Sequence, residues 1–307
     1  MNIQKNFLHK NGLVTINLAR ELILMEEGDK INTIDNYSKK YNVGRGTIQS
    51  VIKHLENEGA INLERRGHLG TFLIYINYKK LWEFTNYKTI VGVMPLPYSK
   101  LYQGLSTGLN VVLGKNDFSV AMAYMRGAET RIESLKYGRY DFAITSKLAA
   151  DQILKENDDM KVILELGENT YVNKHVLVYG QGEKIEIKDG IKVGVDKTSR
   201  DQYYLSIKEF EGVDVEFIDM SYNQIVTKIL NKEIDAAVWS IDEIEEKEIL
   251  LSYRDLKNHK SKDSNTAVII INNNNNGFDQ LIEKLVKPSE VRDIQQKVIQ
   301  EKITPKY

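Results

Sequence analysis

Two distant stretches of the chain, Leu135–Ser146 and Ile229–Ser240, repeat one pattern. In each, an amphipathic helix ends, a turn carries an aspartate, and an apolar strand ends in a serine. The segments that open the two halves are also similar: Ile90–Val93 (IVGV) matches Lys192–Val195 (KVGV), and a polar loop and a helix follow both. Self-similarity of this kind predicts two related α/β lobes with a cleft between them.

Short apolar strands alternate with amphipathic helices from about Tyr87 onward. This alternation predicts mixed or parallel sheets covered by helices on both faces. The candidate strands are Ile90–Met94, Phe118–Ala123, Phe142–Ser146, Lys161–Leu166, His175–Tyr179, Ile191–Val195, Val215–Ile218, Ala236–Ser240 and Thr266–Ile271. The asparagine run Asn272–Asn276 is too polar to bury itself and is expected to form a loop.

The cleft of such a domain lies beyond the carboxyl ends of its strands and beside helix N-termini, which attract anions. In the first half, the loops at these positions supply Pro95, Tyr98, Ser99, Arg126, Gly127, Glu129, Thr145 and Ser146 as candidate ligand-binding residues. In the second half, they supply Asp196, Thr198, Ser199, Arg200, Asp201, Trp239 and Ser240. Tyr171, Asn173 and Lys174 precede a strand and are candidates for the hinge.

Arg126 and Arg200 are the leading candidates for anchoring an anion. A guanidinium group binds a carboxylate or a phosphate through two parallel hydrogen bonds. The alternative is that each arginine is a solvated surface charge. Trp239 is expected to be an aromatic residue of the core or of the cleft wall, where it would stack on a ligand.

The first 75 residues carry a different pattern. Apolar residues at helical spacing predict three helices, of which the second runs from the cap residue Thr33 to Tyr41 and the third from Arg45 to about Glu58. Asn42–Gly44 supplies the turn between them. The β-like segments Ile61–Leu63 and Thr71–Ile74 can pair across a tip rich in arginine and glycine. The order of these elements predicts a helix-turn-helix followed by a hairpin wing.

Duplex DNA is the usual partner of this arrangement. The outward residues of the third helix are short or polar, as in a helix that contacts bases and phosphates in the major groove. They are Arg45, Gly46, Thr47, Gln49, Ser50 and Lys53. The wing tip offers arginines for phosphate or the minor groove, and glycines that permit close approach, within Arg65, Arg66, Gly67, His68, Gly70 and Thr71. The alternative interpretation is a three-helix domain with an ordinary basic hairpin.

Residues 12–73 resemble the GntR-type winged helix, whose pattern ends in a glycine-rich wing followed by threonine and an aromatic residue. The resemblance implies DNA-facing roles for Thr33, Arg45, Thr47, Gly67, Gly70 and Thr71. The chain departs from that family at Asp35, where the family has a phosphate-binding arginine, and at Gln49, where it has a second basic residue. The wing also has Gly-x-x-Gly instead of Gly-x-Gly.

Residues 88–300 resemble the type II periplasmic-binding-protein fold, also found in LysR-type effector domains, and the whole architecture resembles the YhfZ-type regulators. The resemblance implies that the chain crosses between lobes twice, which we place near Val178–Ile185 and Leu250–Asn265. The expected domains are therefore a winged helix at residues 1–77, a linker at 78–87 with Trp82 at the domain interface, and an effector domain at 88–307. Its first lobe would span about 88–180 and 266–307, and its second about 185–255.

Composition limits the possible functions. The chain has 307 residues and no cysteine, so disulfides, thiolate catalysis and thiolate zinc sites are excluded. It contains no 18-residue apolar run and no signal-peptide pattern, and we therefore expect a cytoplasmic protein. The formal net charge of −1 is unevenly distributed, because residues 1–80 hold 12 basic and 8 acidic residues. A basic excess in the winged helix suits a polyanionic partner.

Catalytic motifs receive little support. Gly104–Gly108 fits the G-x-S-x-G pattern, but Ser106 falls in a predicted helix and not directly after a strand. The five histidines show no metal-binding spacing, and no phosphate-binding G-x-x-x-x-G-K motif is present. We expect no cofactor and no metal.

The sequence therefore predicts a ligand-responsive transcriptional regulator that binds an operator as a homodimer and a small anionic or hydroxylated metabolite in its cleft. The alternatives are a small-molecule binding protein or an enzyme on the two-lobed fold, without a regulatory role, or a degenerate cleft that serves only dimerisation.

Overall fold

A computed structural model of the chain describes residues 10–87, 89–116, 118–182, 185–257, 262–274 and 277–306. His9, His259 and the end of the asparagine run, Asn275–Asn276, lie outside these ranges. The chain divides into two compact units, of which the first extends to Ile90 and also includes Leu113–Ser119 and Gln280–Leu285. Across the described ranges, no helix combines the length and the apolar character that crossing a membrane requires.

The first unit contains the expected winged helix-turn-helix. Its elements are α1 (Lys10–Leu22), α2 (Ile34–Tyr41), α3 (Arg45–Asn57), β1 (Ile61–Arg65), β2 (Thr71–Ile76) and α4 (Tyr78–Phe84). Thr33 caps α2, since its hydroxyl accepts a hydrogen bond from the Asn36 amide at 3.2 Å. Asn42 follows α2 and Gly59 follows α3. Both adopt a left-handed backbone conformation, with φ of 52° and 67°, that ends the helix.

The wing is an antiparallel hairpin in which Arg65 pairs with Thr71. A single 3₁₀ turn, Gly67–Leu69, forms its tip. Lys30 makes an isolated antiparallel bridge with Phe72, so the segment before α2 adds a third short chain beside the wing. This bridge was not expected from the sequence.

The first seven residues of the expected linker, Tyr78–Phe84, form a capped helix, α4. The Asn77 side chain accepts a hydrogen bond from the Lys80 amide at 3.1 Å. Trp82 is buried within the first unit, where its ring lies 4.8 Å from that of Phe118 and 5.1 Å from that of Tyr87. The indole therefore anchors α4 in the core of the first unit.

The second unit has two lobes. The first lobe contains β3 (Ile90–Met94), α5 (Lys100–Leu113), β4 (Val120–Tyr124), α6 (Ala128–Lys136), β5 (Phe142–Ser146), α7 (Lys147–Ile153) and β6 (Met160–Glu165). The second contains β7 (His175–Gly180), β8 (Lys192–Val195), α8 (Arg200–Glu209), β9 (Glu216–Asp219), α9 (Ile225–Leu230), β10 (Ala236–Ser240), α10 (Ile241–Glu246) and β11 (Leu251–Asp255). The chain then forms β12 (Ala267–Asn272) and α12 (Pro288–Ile299). Between them lies α11 (Phe278–Leu285), most of which belongs to the first unit.

The two five-stranded sheets share one topology. Their strand orders are β4-β3-β5-β12-β6 and β9-β8-β10-β7-β11. In each sheet the strand that arrives from the other half, β12 or β7, runs antiparallel to both of its neighbours. The repeated pattern in the sequence therefore corresponds to repeated structure.

The aspartate of each repeat performs the same structural task. The Asp141 carboxylate accepts a hydrogen bond from the Val91 amide at 2.8 Å, and the Asp235 carboxylate accepts one from the Lys192 amide at 2.7 Å. The backbone amide of each aspartate also donates to the carbonyl of the same partner. Each aspartate thus ties the start of β5 or β10 to the neighbouring parallel strand, β3 or β8.

The expected first crossing point is wrong. His175–Gly180 was assigned to the first lobe, but β7 pairs with β10 and β11 of the second. The crossing therefore lies between β6 and β7, at residues 166–174. The sequence also missed β11, which occupies part of the second expected crossing, so the chain returns only after Asp255. Both strands bury apolar residues against second-lobe neighbours, a long-range pairing that local patterning does not report.

Candidate functional site

A groove lies between α3 and the wing in the first unit, with an empty volume of about 1180 Å³ that is partly open to solvent. The predicted DNA-facing residues that line it are Thr33, Arg45, Gln49, Arg65, Gly67, Gly70 and Thr71. Gly46, Ser50 and Lys53 are exposed along α3, and Arg66 and His68 are exposed at the tip. Thr47 lines a separate hollow beside the turn Asn42–Gly44. The fold thus places the predicted residues on α3, on the wing and at the cap of α2.

Ion pairs within the unit engage most of the predicted arginines. Arg45 Nε lies 3.1 Å from Asp35 Oδ1, so the aspartate at the departure from the GntR pattern is the partner of Arg45. Arg66 Nη2 lies 2.6 Å from Glu64 Oε2, and its guanidinium is 4.6 Å from the centre of the Phe72 ring.

Arg65 is the least engaged arginine of the wing. Its side chain is 73% exposed and its nearest carboxylate oxygen, on Glu56, is 3.7 Å away. Lys30 also lines the groove, and its side chain passes close to Gly70, where a Cβ atom would lie 2.4 Å from Lys30 Cε. Lys30 was missed because a lone lysine before a helix cap carries no motif.

A cavity in the second unit lies between the two lobes, with an empty volume of about 690 Å³. Ten of its lining residues come from the predicted set, namely Pro95, Tyr98, Ser99, Arg126, Gly127, Asp196, Ser199, Arg200, Asp201 and Ser240. This volume includes space that is open to solvent. The loops chosen from strand ends therefore converge on one cavity.

Helix N-termini from both lobes face this cavity. Ser99 precedes α5, and its hydroxyl accepts a hydrogen bond from the Tyr102 amide at 3.3 Å. Gly127 precedes α6 with φ of 80°, a conformation that favours glycine. Ser199 precedes α8, and the turn before it is held by Asp196 Oδ1, which accepts hydrogen bonds from the Thr198 amide at 2.9 Å and hydroxyl at 2.6 Å. The partial positive charges of three helices thus surround the space.

The two lobes touch across the cleft. Ser146 Oγ of the first lobe donates to Asp201 Oδ1 of the second at 2.7 Å. Arg200 of the second lobe makes a bidentate ion pair with Glu129 of the first, and its Nη2 lies 3.4 Å from Glu156 Oε2. The structure is therefore that of a closed two-lobed domain.

Several predicted residues do not line the cavity. Glu129, Thr145, Ser146, Thr198 and Trp239 lie behind or beside its wall. Trp239 is 2% exposed and stacks on Tyr222 with ring centres 3.6 Å apart, so Tyr222 presents the aromatic surface to the cavity. Arg200 does line the cavity, but protein carboxylates already hold its guanidinium.

The sequence also missed part of the wall. Tyr102, Arg131, Val172, His175, Tyr222 and Glu243 line the cavity although no motif singled them out, and Tyr171, expected at the hinge, lines it as well. The other two hinge candidates bind within the second lobe, since Asn173 donates to Asp242 through its backbone amide at 3.0 Å and Lys174 Nζ lies 2.6 Å from Asp255. Helical phase was the one signal available for Arg131, which lies one turn after Gly127.

Burial shifts the protonation of the cleft acids. Burial raises the pKa of the Asp201 carboxyl to about 7, although the Ser146 hydroxyl and the charge of Arg131 oppose the shift. Burial likewise raises the pKa of Glu243, and Lys247 opposes it. Burial raises the pKa of the Tyr102 and Tyr222 hydroxyls well above the usual value, so both remain protonated hydrogen-bond donors.

Ser106 does not form a nucleophile elbow. It lies inside α5, is fully buried, and its Oγ atom is 2.6 Å from the Tyr124 hydroxyl. A nucleophile elbow requires a sharp turn directly after a strand. The G-x-S-x-G match is therefore a feature of helix packing, in which Gly104 and Gly108 let α5 approach the backbone of α12.

The fold and its two sites define a class of protein that joins a helix-turn-helix domain to a two-lobed α/β domain of the periplasmic-binding-protein type. Comparison with known families agrees: a helix-turn-helix domain model matches residues 26–73, and the model of the YhfZ C-terminal domain matches residues 77–307. This chain belongs to the YhfZ family.

Two relatives named YhfZ support this assignment. The chain is 37% identical over 239 residues to a protein of Escherichia coli (strain K12) described as uncharacterized protein YhfZ, covering 78% of this chain and 77% of the relative. The crystal structure of YhfZ from Shigella flexneri matches with a TM-score of 0.63 and 32% identity, over 75% of this chain and 97% of that one. A more distant match, with a TM-score of 0.47 and 15% identity, is the ligand binding component of an ABC-type import system from Staphylococcus aureus, over 68% of this chain and 72% of that one.

Proposed function

We propose that this protein is a transcriptional regulator that binds operator DNA through its winged helix and a small molecule in its inter-lobe cleft. The observation that carries the proposal is the presence, in one chain, of a helix-wing groove lined by basic residues and a closed two-lobed domain with helix N-termini around a cavity. We expect the protein to act in the cytoplasm, where its DNA partner lies.

In this proposal the protein binds DNA as a homodimer. Two winged helices read the half-sites of a pseudo-palindrome when they are spaced by one turn of DNA, about 34 Å. The GntR-like contacts, with Thr33, Arg45 and Thr47 on one half-site face and the wing tip on the adjacent phosphates, belong to the same proposal.

Closure of the lobes is the proposed response to the ligand. A ligand shifts a conformational equilibrium only when it binds one state more tightly than the other. A molecule that contacts both walls of the cleft favours the closed state, in which the Ser146–Asp201 and Arg200–Glu129 contacts form. That change would alter the affinity of the winged helices for the operator.

A salt-titrated pull-down of genomic DNA fragments with the purified full-length protein tests the proposal. We expect the protein to retain a palindromic sequence at salt concentrations that release bulk DNA. Contacts with the bases add affinity to the salt-dependent contacts with the phosphates. The matched control is a variant in which Gln49 and Arg65 are both replaced by alanine, which should retain no particular sequence. Equal retention by the two proteins, or a monomer with no retained DNA, would reject the regulator.

A further inference from the structure

The guanidinium of Arg131 is the most unusual group of the cleft wall. The residue lines the cavity but is only 2% exposed. Its Nε donates to the Ile144 carbonyl at 3.1 Å, its Nη1 to the Met125 carbonyl at 2.8 Å, and its Nη2 to the Tyr171 hydroxyl at 3.2 Å. Among the described residues, no carboxylate oxygen lies within 4.0 Å of it.

A buried cation is energetically costly unless an anion offsets its charge. The charge of Arg131 reaches the buried Asp201 carboxyl of the opposite lobe, but that carboxyl has a pKa of about 7 and makes no ion pair with the guanidinium. Three of the five N–H groups of the guanidinium have the partners named above. The carbonyl and hydroxyl partners fix the orientation of the group but do not neutralise it. An anion that enters the cavity would supply the missing charge, and the N-terminus of α6 at Gly127 and the half-exposed Arg126 would add to the attraction.

The opposite wall carries two acidic side chains besides Arg200, whose guanidinium is held by Glu129. Asp196 and Glu243 belong to the second lobe, line the cavity and are 2% and 7% exposed. Both have partners. Asp196 Oδ2 accepts from the Tyr222 amide at 2.8 Å and lies 3.9 Å from Arg126 Nε, and Glu243 Oε2 lies 3.1 Å from Lys247 Nζ. Acidic oxygens on this side would repel a second anionic group but can accept further hydrogen bonds from a hydroxyl or an amino group.

We infer that the cleft binds a small monocarboxylate that also carries amino or hydroxyl groups, with its carboxylate on Arg131 and its donors facing Asp196 and Glu243. Tyr98, Tyr102 and Tyr222 line the space for the body of the molecule. This inference rests on the proposed role of the cleft as a ligand site and names the chemical class of the ligand. It replaces Arg200 by Arg131 as the carboxylate anchor.

Such a ligand would link closure to occupancy. Its carboxylate binds the first lobe and its donors bind the second, so both sets of contacts exist together only when the lobes are closed. A dicarboxylate or inorganic phosphate would place negative charge against Asp196 and Glu243, and a primary amide would leave Arg131 without an anion. The charges of the two walls therefore predict a selectivity that can be measured.

Thermal denaturation and calorimetric titration of the full-length protein, without DNA, test the inference. The probes are the standard α-amino acids and short 2-hydroxy acids, the primary amide of each, short dicarboxylates, and inorganic phosphate. We expect at least one amino or hydroxy acid to raise the melting temperature and to bind at least about tenfold more tightly than its amide, because ionic hydrogen bonds are the stronger ones. Dicarboxylates and phosphate should bind more weakly.

Two variants locate the carboxylate. Arg131→Lys keeps the charge but loses the bidentate geometry, and we expect about tenfold weaker binding. Arg139→Lys, which changes an exposed arginine outside the cavity, is the matched control and should bind as the wild type does. If Arg131→Lys does not fold, the comparison of acid with amide in the wild type decides the question.

Three results would overturn the inference: no stabilisation by any acid of the panel, equal binding of an acid and its amide, or preference for a dicarboxylate or phosphate. The proposed function is judged separately, by retention of operator DNA. Operator binding without binding of any monocarboxylate would reject the inference and leave the regulator. Binding of a monocarboxylate without any retained DNA would support the inference about the ligand and reject the regulator.

Discussion

At the scale of single residues, burial decides the chemistry of the cleft. Asp201 lies at the start of α8, where an aspartate is expected to be an ionised helix-capping group. The residue is instead buried, and the Ser146 hydroxyl of the opposite lobe donates a hydrogen bond to its carboxylate at 2.7 Å. The carboxyl therefore exchanges its proton near neutral pH instead of near pH 4.

Stability should depend on pH through Asp201. Its pKa is about 7 in the folded state against 3.8 for an aspartate in water, so between these two pH values the folded state binds more protons than the unfolded state. The stability that the protonated carboxyl contributes at acidic pH is then lost as the pH rises from about 4 to about 7, and it stays lost at higher pH. We expect Asp201→Asn, which still accepts from Ser146, to melt at a higher temperature than the wild type at pH 8, by several degrees.

Melting curves of both proteins from about pH 5 to pH 8, at constant ionic strength, check this prediction. The gap between Asp201→Asn and the wild type should widen as the pH increases. Parallel curves would show that the carboxyl does not titrate in this range.

The wing arginines should differ in their effect on DNA binding. Arg66→Ala should weaken binding to all sequences and lower the slope of log K against log salt by about one. Arg65→Ala should have the larger effect, because Arg66 is paired with Glu64 while the Arg65 side chain is 73% exposed. Fluorescence anisotropy at several salt concentrations measures both slopes.

Gln49 gives the matching specificity test. Gln49→Ala should narrow the gap between operator and non-specific DNA while leaving the salt slope unchanged, since an amide reads base edges and releases no counterion. An unchanged slope for both arginine variants would show that the wing does not contact phosphate.

At the scale of elements, both repeats begin a strand with an aspartate that is hydrogen-bonded to the neighbouring strand. Asp141 and Asp235 each accept a hydrogen bond from the neighbouring strand and donate to the same residue through their own amides. The following strands, β5 and β10, are buried along their whole length. Each aspartate sits where the buried central strand of a lobe begins, and this position explains its recurrence in the sequence.

Removing either aspartate should weaken its own lobe. Asp141→Ala and Asp235→Ala each leave one strand amide without its side-chain acceptor, at a cost of about 1 kcal/mol for a partly exposed hydrogen bond. Hydrogen exchange should increase at Val91 in the first variant and at Lys192 in the second. Exchange that increases equally in both lobes would contradict a local role.

At the scale of the whole two-lobed domain, closure depends on a few contacts between charged and polar groups. The bidentate pair of Arg200 with Glu129 joins helices of opposite lobes, and Glu156 adds a second carboxylate. An exposed pair of this type contributes little to folding, but two lobes that hinge open and closed need only a small difference in free energy to change their populations.

Arg200→Ala should therefore shift the domain towards an open state without unfolding it. Because the chain has no cysteine, Glu133→Cys and Glu216→Cys introduce one spin label in each lobe without removing any native thiol. Pulsed electron resonance should report longer distances in the Arg200→Ala variant. Lys208→Ala, which removes a half-buried lysine further along the same helix, is the control. A distance distribution for Arg200→Ala identical to that of the wild type would show that the pair does not hold the lobes.

The sequence by itself determined most of the helices and strands and the division of the chain into a winged helix and a two-lobed domain. Helical and alternating periodicities, the cap at Thr33, the turn at Asn42 and the repeated Asp-strand-Ser pattern are all local signals, and local signals predict local structure. They located the winged helix, the two similar lobes and the loops at the strand ends, which supplied much of the cavity wall.

Only the tertiary structure decided which strands pair across the lobes and which charges meet. β7 joins the second sheet and β11 was missed, because strand pairing depends on distant partners and not on the pattern within a strand. The burial of Arg131, the engagement of Arg200 by Glu129 and the raised pKa of Asp201 arise where chain segments far apart in sequence enclose one space. Charge and solvation are properties of that space, and they emerge only when the two lobes meet.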